Sequence, residues 1–269
     1  GDAARQAHQQ AQAGQRMSGA GGDTSIVDDY EAEQTDLYDV LRALSPEQWR
    51  APTPAPGWDV RDQVSHLADT EEVAYGTVTG GPRSLNIDAA KYGSGEAFTE
   101  AGCDRGRAME PAAVLDWWWT GAARVRDALR SADPSARVPW GLGMGWRAFV
   151  TARLMEHWAH GLDIRVGAGV AAPDTDRLRH VSWICFSALP YAFSVAGVEP
   201  PAGHTLRLEL TGPGGDTWTY GPADATDVVR GPAGIWCRRA VQRITPAEAT
   251  ALVPDGRLAA LAIEHARAF

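Results

Sequence analysis

The residues best suited to chemistry in this 269-residue chain lie in the segment ARLMEHWAHGLDIR (152–165). Glu156 and His160 are four positions apart, so on a helix they project from one side at adjacent turns. Phe149, Arg153 and Asp163 fall on or near that face. Ala148, Ala152, Met155, Ala159, Leu162 and Val166 form the apolar stripe beside it, so the pair borders a core face. A carboxylate and an imidazole converging inside a helical bundle suit a divalent metal, and three protein ligands with one open position is the catalytic pattern for zinc. The third ligand must come from a facing helix. His66 is the best-placed candidate, mid-helix in GWDVRDQVSHLADTEE (57–72), roughly 120° around from the stripe of Val60, Val64 and Leu67. Blander readings compete. A Glu–His pair at this spacing is commonly a hydrogen-bonded surface pair, a single histidine such as His66 is commonly a satisfied interior residue, and His157 is a rival ligand about 100° from Glu156.

These side chains need elements to hold them, and the apolar periodicity supplies four long helices. The first spans 24–44, with Ile26, Val27, Tyr30, Leu37, Val40, Leu41 and Leu44 approximating one face. A proline-rich loop, APTPAPGW (51–58), blocks regular structure before a helix that Asp59 can cap and that runs to about Val78. Residues 80–108 are glycine-rich and read mostly as loop with one short helix. A third long helix follows Pro111, with Leu115, Trp118, Ala122, Val125 and Leu129 as its core stripe. A glycine loop, WGLGMGW (140–146), leads into the fourth, 147–166, closed by Gly167 and Gly169. That loop follows no clear strand and lacks a dinucleotide-binding context. The three tryptophans 117–119 cannot face one way on a helix; they read as core packing plus some pocket wall. A fifth helix is predicted over 174–198, kinked at Pro190. After Pro200-Pro201 the period changes to two: TLRLEL (205–210) and DTWTY (216–220) flank a GPGG turn, Asp227 to Arg230 reads as a third strand, and short helices follow.

Composition narrows the function. With 25 Lys+Arg against 34 Asp+Glu and Lys91 as the sole lysine, the chain has no basic run to bind nucleic acid or an anionic membrane. Cys103, Cys185 and Cys237 are odd in number and far apart, which argues against a disulfide framework or a cysteine zinc knuckle and for a reducing, cytoplasmic setting. Cys103 has the chemistry of a nucleophile, but no spacing supports that role, and there is no G-x-S-x-G elbow. Residues 1–16 lack the apolar core of a signal peptide, and 1–23 read as a disordered leader or a remnant of cloning. The uncharged run 181–198 contains three serines, Pro190 and Gly197, and reads as a buried helix, not a membrane span. Three domains are thus expected: the leader, a helical bundle over 24–200, and a small α/β domain over 201–269.

Three segments also carry a resemblance. PTPAPGWDVRDQVSHLADTEE (52–72) resembles the second-helix motif G-W-x-V-x-D-x-x-x-H-L of the DinB-like, mycothiol-dependent maleylpyruvate isomerase superfamily. MEHWAHGLDIR (155–165) is similar to that superfamily's E-x-W-x-H-G-x-D segment, and GPAGIWCRRAVQRI (231–244) resembles its small C-terminal domain. The resemblance implies a mainly α protein: a DinB-like up-down four-helix bundle with a divalent metal on His66, Glu156 and His160, then a small α/β domain of sterol-carrier-protein type. It implies a metal that is zinc before nickel, iron or manganese. It also implies mycothiol or another low-molecular-weight thiol as co-substrate, and a C-terminal arginine acting on the substrate, Arg243 with Arg239 as the alternative. The expected activity is transfer or isomerisation of an electrophilic small molecule through a metal-bound thiolate, in a monomer or homodimer. The same ligand set would also serve a thiol-free hydrolase, a Lewis-acid cyclase or lyase, or a small-ligand binding protein with a structural metal. The histidine directly after the metal-side glutamate, His157, replaces a residue that is often apolar in the superfamily.

Overall fold

The computed structural model describes residues 24–269. The expected leader, with His8, lies outside the described residues. The described chain forms two compact units, divided at Pro173/Asp174.

The first unit is built on four long helices: α1 (Thr24–Leu41), α3 (Val60–Thr79), α6 (Pro111–Ser131) and α7 (Trp146–Ala168). Between them lie the short α2 (Pro46–Trp49), α4 (Leu85–Lys91) and α5 (Gly95–Arg107), and a two-stranded hairpin of β1 (Arg137–Val138) and β2 (Met144–Gly145). Helix α3 is central and packs on α5, α6 and α7, while α1 packs on α6 and α7. Leu37, Leu41, Trp49, Val60, Val64, Leu67, Val114, Trp118 and Ile164 form one continuous core. Asp59 caps α3 as the sequence predicts, in a reciprocal box. Its carboxylate accepts from the Asp62 amide at 2.8 Å, and the Asp62 carboxylate accepts from the Asp59 amide at 3.2 Å.

Segment 80–108 departs from the loop reading. It holds two helices, capped by Ser84 and Ser94, each accepting from the backbone three residues on. The glycines that disguised α5 are its contact face. A Cβ on Gly106 would sit 1.7 Å from Ser65 Oγ, and one on Gly102 would sit 2.9 Å from Asp69 Cβ, both on α3. The 140–146 segment is likewise more ordered than a loop: Gly141 and Gly143, at φ +59° and +90°, turn the hairpin that feeds α7. Gly167 is inside α7, not beyond it. Gly169, at φ +69°, is the left-handed cap.

The second unit begins earlier than the expected boundary at 200/201. Helix α8 (Leu178–Ser187), expected within the bundle, belongs to this unit. It packs on α10 (Ala233–Ala240), where Trp236 Nε1 donates to the Ser182 carbonyl at 3.4 Å and Ser182 Oγ lies 3.2 Å from Cys237 Sγ. The predicted kink is a full break at Ala188, after which Leu189–Ala196 forms α9. A four-stranded sheet follows α9. Strands β3 (Leu206–Thr211) and β4 (Thr217–Tyr220) form the expected hairpin, β3 pairs in parallel with β5 (Asp227–Pro232), and β6 (Val253–Asp255) closes the edge. Buried Asp227 accepts from the Leu258 amide at 2.6 Å, at the start of α11 (Arg257–His265). Among the described residues no helix is long and apolar enough to cross a membrane.

Candidate metal centre

The three sequence-predicted ligands come together. His66 from α3 and Glu156 and His160 from α7 each offer a ligand atom, and these atoms lie within 4.8 Å of one another. His160 Nε2 is 3.4 Å from Glu156 Oε2, close to the roughly 3.3 Å edge of a zinc tetrahedron with bonds of about 2.0–2.1 Å. The imidazole rings of His66 and His160 have centroids 4.6 Å apart. The Glu156 and His160 side chains retain 26% and 15% of their accessible surface, so the cluster is walled but open to a small molecule.

The electrostatics suit a cation. Burial, reinforced by the neighbouring His160, pushes the His66 imidazole down to about 3, so it is neutral and its lone pair is available. Burial pushes the Glu156 carboxyl up. The hydrogen bond and charge of His160, with Arg153 and His66, outweigh that and hold it at about 2, as an anion. Two imidazoles and one carboxylate form a donor set that fits zinc or a similar divalent ion.

A shell that the sequence did not signal as functional surrounds these groups. The proline-rich loop is a tight clamp. Thr53 donates through both its amide and its hydroxyl to the Trp58 carbonyl, each at 2.9 Å, and Gly57 takes φ +81°. This sets the Trp58 ring 5.3 Å from His66 and 6.4 Å from His160, stacked on the latter. Gln63, fully buried one turn before His66, reaches His160: its Oε1 is 2.6 Å from His160 Nδ1. Its Nε2 donates to Thr53 Oγ1 at 3.1 Å and to Asp163 Oδ2 at 3.4 Å. The i, i+3 spacing of Gln63 and His66 was the available signal.

His157 points away from the ligands into a buried polar network. Its Nδ1 lies 2.8 Å from the Arg153 carbonyl, so Nδ1 carries the proton, and Nε2 accepts from Trp118 Nε1 at 3.1 Å. Burial pushes this imidazole down to about 4. Arg153 donates to Glu71 at 2.6 and 2.9 Å and to Thr70 at 3.2 Å, and Tyr30 donates to Glu71 at 2.6 Å. The tryptophan triplet fans out as its helical spacing requires. Trp118 enters the core, Trp117 donates to Glu72 at 2.7 Å, and Trp119 stacks on Tyr38 at 4.4 Å. Cys103 is no nucleophile: it is fully buried, and burial together with Asp62 pushes its thiol far up.

In the second unit Arg243 follows α10, just after Gln242 at φ +60°, and its guanidinium donates to the Val241 carbonyl at 2.8 Å. Arg239 is buried and committed to the Ile263 and Glu264 carbonyls at 2.9 and 2.6 Å, so it serves to hold α11.

Residues 30–165 match the model of the mycothiol maleylpyruvate isomerase N-terminal domain. Two proteins of Mycobacterium tuberculosis, from strains CDC 1551 / Oshkosh and ATCC 25618 / H37Rv and both described as uncharacterized, are 37% identical over 219 residues, covering 81% of this chain and 85% of theirs. Crystal structures of the mycothiol-dependent maleylpyruvate isomerase, and of a histidine-to-alanine mutant of it, superpose with TM-scores of 0.60 and 0.59 at 17% identity. They cover 87% of this chain and 93% of theirs, a likeness of fold. The ligand-bearing helices α3 and α7 fall within the matched segment, and the chain belongs to the mycothiol maleylpyruvate isomerase N-terminal domain family.

Proposed function

We propose that the protein is a metal-dependent enzyme of thiol chemistry, a mycothiol-type transferase or isomerase acting on an electrophilic small molecule. The observation that carries this reading is the convergence of His66, Glu156 and His160 at a half-buried, solvent-reaching point. The group has three members, which leaves a divalent ion a position for substrate and argues against a closed structural site. Family membership favours a thiol as the occupant of that position over water. When bound, the metal supplies positive charge that lowers the pKa of a coordinated thiol, so thiolate forms at neutral pH.

The chain's own residues do the rest. His66, His160 and the anionic Glu156 would hold the ion with a single protein negative charge, which leaves it net positive. The Trp58 ring walls the imidazole side and excludes water from it. Arg243 is assigned to a substrate carboxylate or developing enolate, as a bidentate guanidinium partner. His157, Arg153 and Glu71 form a buried network that holds α3 and α7 in register, and the Arg153 charge also helps keep Glu156 anionic.

The experiment is metal analysis and thiol consumption on purified protein. Zinc should be bound stoichiometrically. Mycothiol with maleylpyruvate or a similar activated electrophile should turn over, while plain buffer should not support turnover. Replacing His66, Glu156 or His160 by Ala should reduce metal content to background and activity by about 100-fold or more. Full metal occupancy in those variants would reject the ligand assignment. Turnover of a substrate without any thiol would reject the thiol reading in favour of a metal-dependent hydrolase.

A further inference from the structure

We propose that Gln63 is a positioning residue that relays the carboxylate of Asp163 to His160, fixing which ring nitrogen of His160 faces the metal position. The inference rests on the metal reading above and concerns groups that reading does not use.

The argument is one of donors and acceptors. A side-chain amide has one accepting oxygen and one donating NH2 group. Asp163 offers Gln63 a carboxylate oxygen, 3.4 Å from Nε2, and an oxygen facing that carboxylate would be repelled. Thr53 Oγ1, 3.1 Å from Nε2, donates its own proton to the Trp58 carbonyl, so toward Gln63 it can only accept. Both contacts demand the NH2 end, and this leaves Oε1 toward His160, at 2.6 Å from Nδ1. An amide oxygen can only accept, so His160 must carry its proton on Nδ1. The competing acceptor, Glu156 Oε2, stands farther off, 3.4 Å from Nε2, so the shorter contact to Gln63 keeps a proton on Nδ1 and leaves Nε2 as the nitrogen that turns to a metal beside Glu156.

Histidine ligands commonly donate their second N–H to a carboxylate or carbonyl, which fixes tautomer and ring orientation. Here the carboxylate stands one residue removed, with a fully buried amide between. The arrangement transmits orientation without placing a second anion against the ligand. Its anchor, Thr53, belongs to the clamp that also sets Trp58, so one loop positions both the ring wall and the relay.

The test uses the full chain and two readouts. In metal-free protein at about pH 9, above the usual imidazole range, long-range proton–nitrogen NMR should find His160 as the Nδ1–H tautomer. In Gln63→Leu the proton should move to Nε2 in a large fraction of molecules, and Zn2+ affinity, measured by competition with a chromophoric chelator, should fall about 10–100-fold. Gln63→Glu preserves the acceptor toward His160 but opposes two carboxylates. It should keep the tautomer but lose both stability and Zn2+ affinity, because the repulsion displaces the side chain that orients His160, and Gln63→Glu with Asp163→Asn should restore the two together. Wild-type protein with the proton on Nε2, or Gln63→Leu with unchanged tautomer and Zn2+ affinity, would overturn the relay. So would a double variant that regains stability but not affinity, because Gln63 would then be a packing residue. If wild-type protein takes up no divalent metal, the proposed function fails, and the tautomer spectra still decide the relay.

Discussion

His157 and His66 show how burial, not residue type, assigns a role. Both are imidazoles held neutral: His66 at about 3 by burial and His160, His157 at about 4 by burial. Only His66 keeps its lone pair toward the ligand cluster, because Trp118 occupies Nε2 of His157 and the Arg153 carbonyl occupies Nδ1. The depressed values have a consequence for stability. In the unfolded chain each imidazole takes up a proton near 6.5, whereas the folded protein resists protonation until about 4 for His157 and about 3 for His66. Below 6.5 the unfolded state therefore binds more protons, and stability is lost as pH falls, at about 1.4 kcal/mol per pH unit for each histidine in its window. Glu156 adds loss in the same direction as pH falls from 4.5 toward about 2. Metal-free protein should melt progressively lower from about pH 7 to about pH 4 in differential scanning fluorimetry. His157→Gln, which keeps an acceptor for Trp118, should flatten part of that slope. A melting temperature independent of pH across this range would contradict the neutral assignment.

Helix α7 carries two ligands, and its C-terminal turn is where close approach matters most. A Cβ on Gly167 would lie 2.9 Å from the Pro52 carbonyl, 3.1 Å from Thr53 Cγ2 and 3.3 Å from Val60 Cγ2. Replacing glycine by alanine in a helix interior ordinarily gains about 1 kcal/mol. Here the added methyl pushes against backbone of the clamp loop, and overpacking of this kind costs about 1–3 kcal/mol. Gly167→Ala should thus lower the urea midpoint, and it should weaken Zn2+ binding because Thr53 and Trp58 move with the loop. A midpoint at or above wild type would show that the loop yields freely. The same logic explains why α5 escaped a periodicity reading. Gly102 and Gly106 lower helix propensity, yet they let α5 lie against α3, where Arg105 reaches Asp69 at 2.6 Å and Glu72 at 2.8 Å.

The division at Pro173/Asp174 places the ligands, the relay and the clamp in one compact unit and Arg243 in the other. A fragment of residues 24–173 should fold cooperatively by circular dichroism and take up Zn2+, since all three ligands belong to it. An aggregated or metal-free fragment would mean that the second unit is needed to complete the bundle. In the full chain, Arg243→Ala should lower turnover while metal content stays at the wild-type level, which separates substrate handling from metal holding. Loss of metal in Arg243→Ala would contradict that separation.

The sequence by itself determined the local parts: helix periods, the Asp59 cap, the Glu156/His160 spacing and the β3–β4 hairpin, each set by neighbours within a few residues. It also pointed to His66, first by its place on a helix that could face Glu156 and His160, and then by the motif resemblance. Tertiary structure alone decided the rest. Gln63 meets His160 across 97 positions, Trp118 donates to His157 across 39, and α8 joins the second unit through Trp236 and Cys237. Hydrogen bonds and close contacts of that kind depend on which helix faces come together. A residue's type fixes what it can donate or accept, but only packing fixes which partner stands within 3 Å or so.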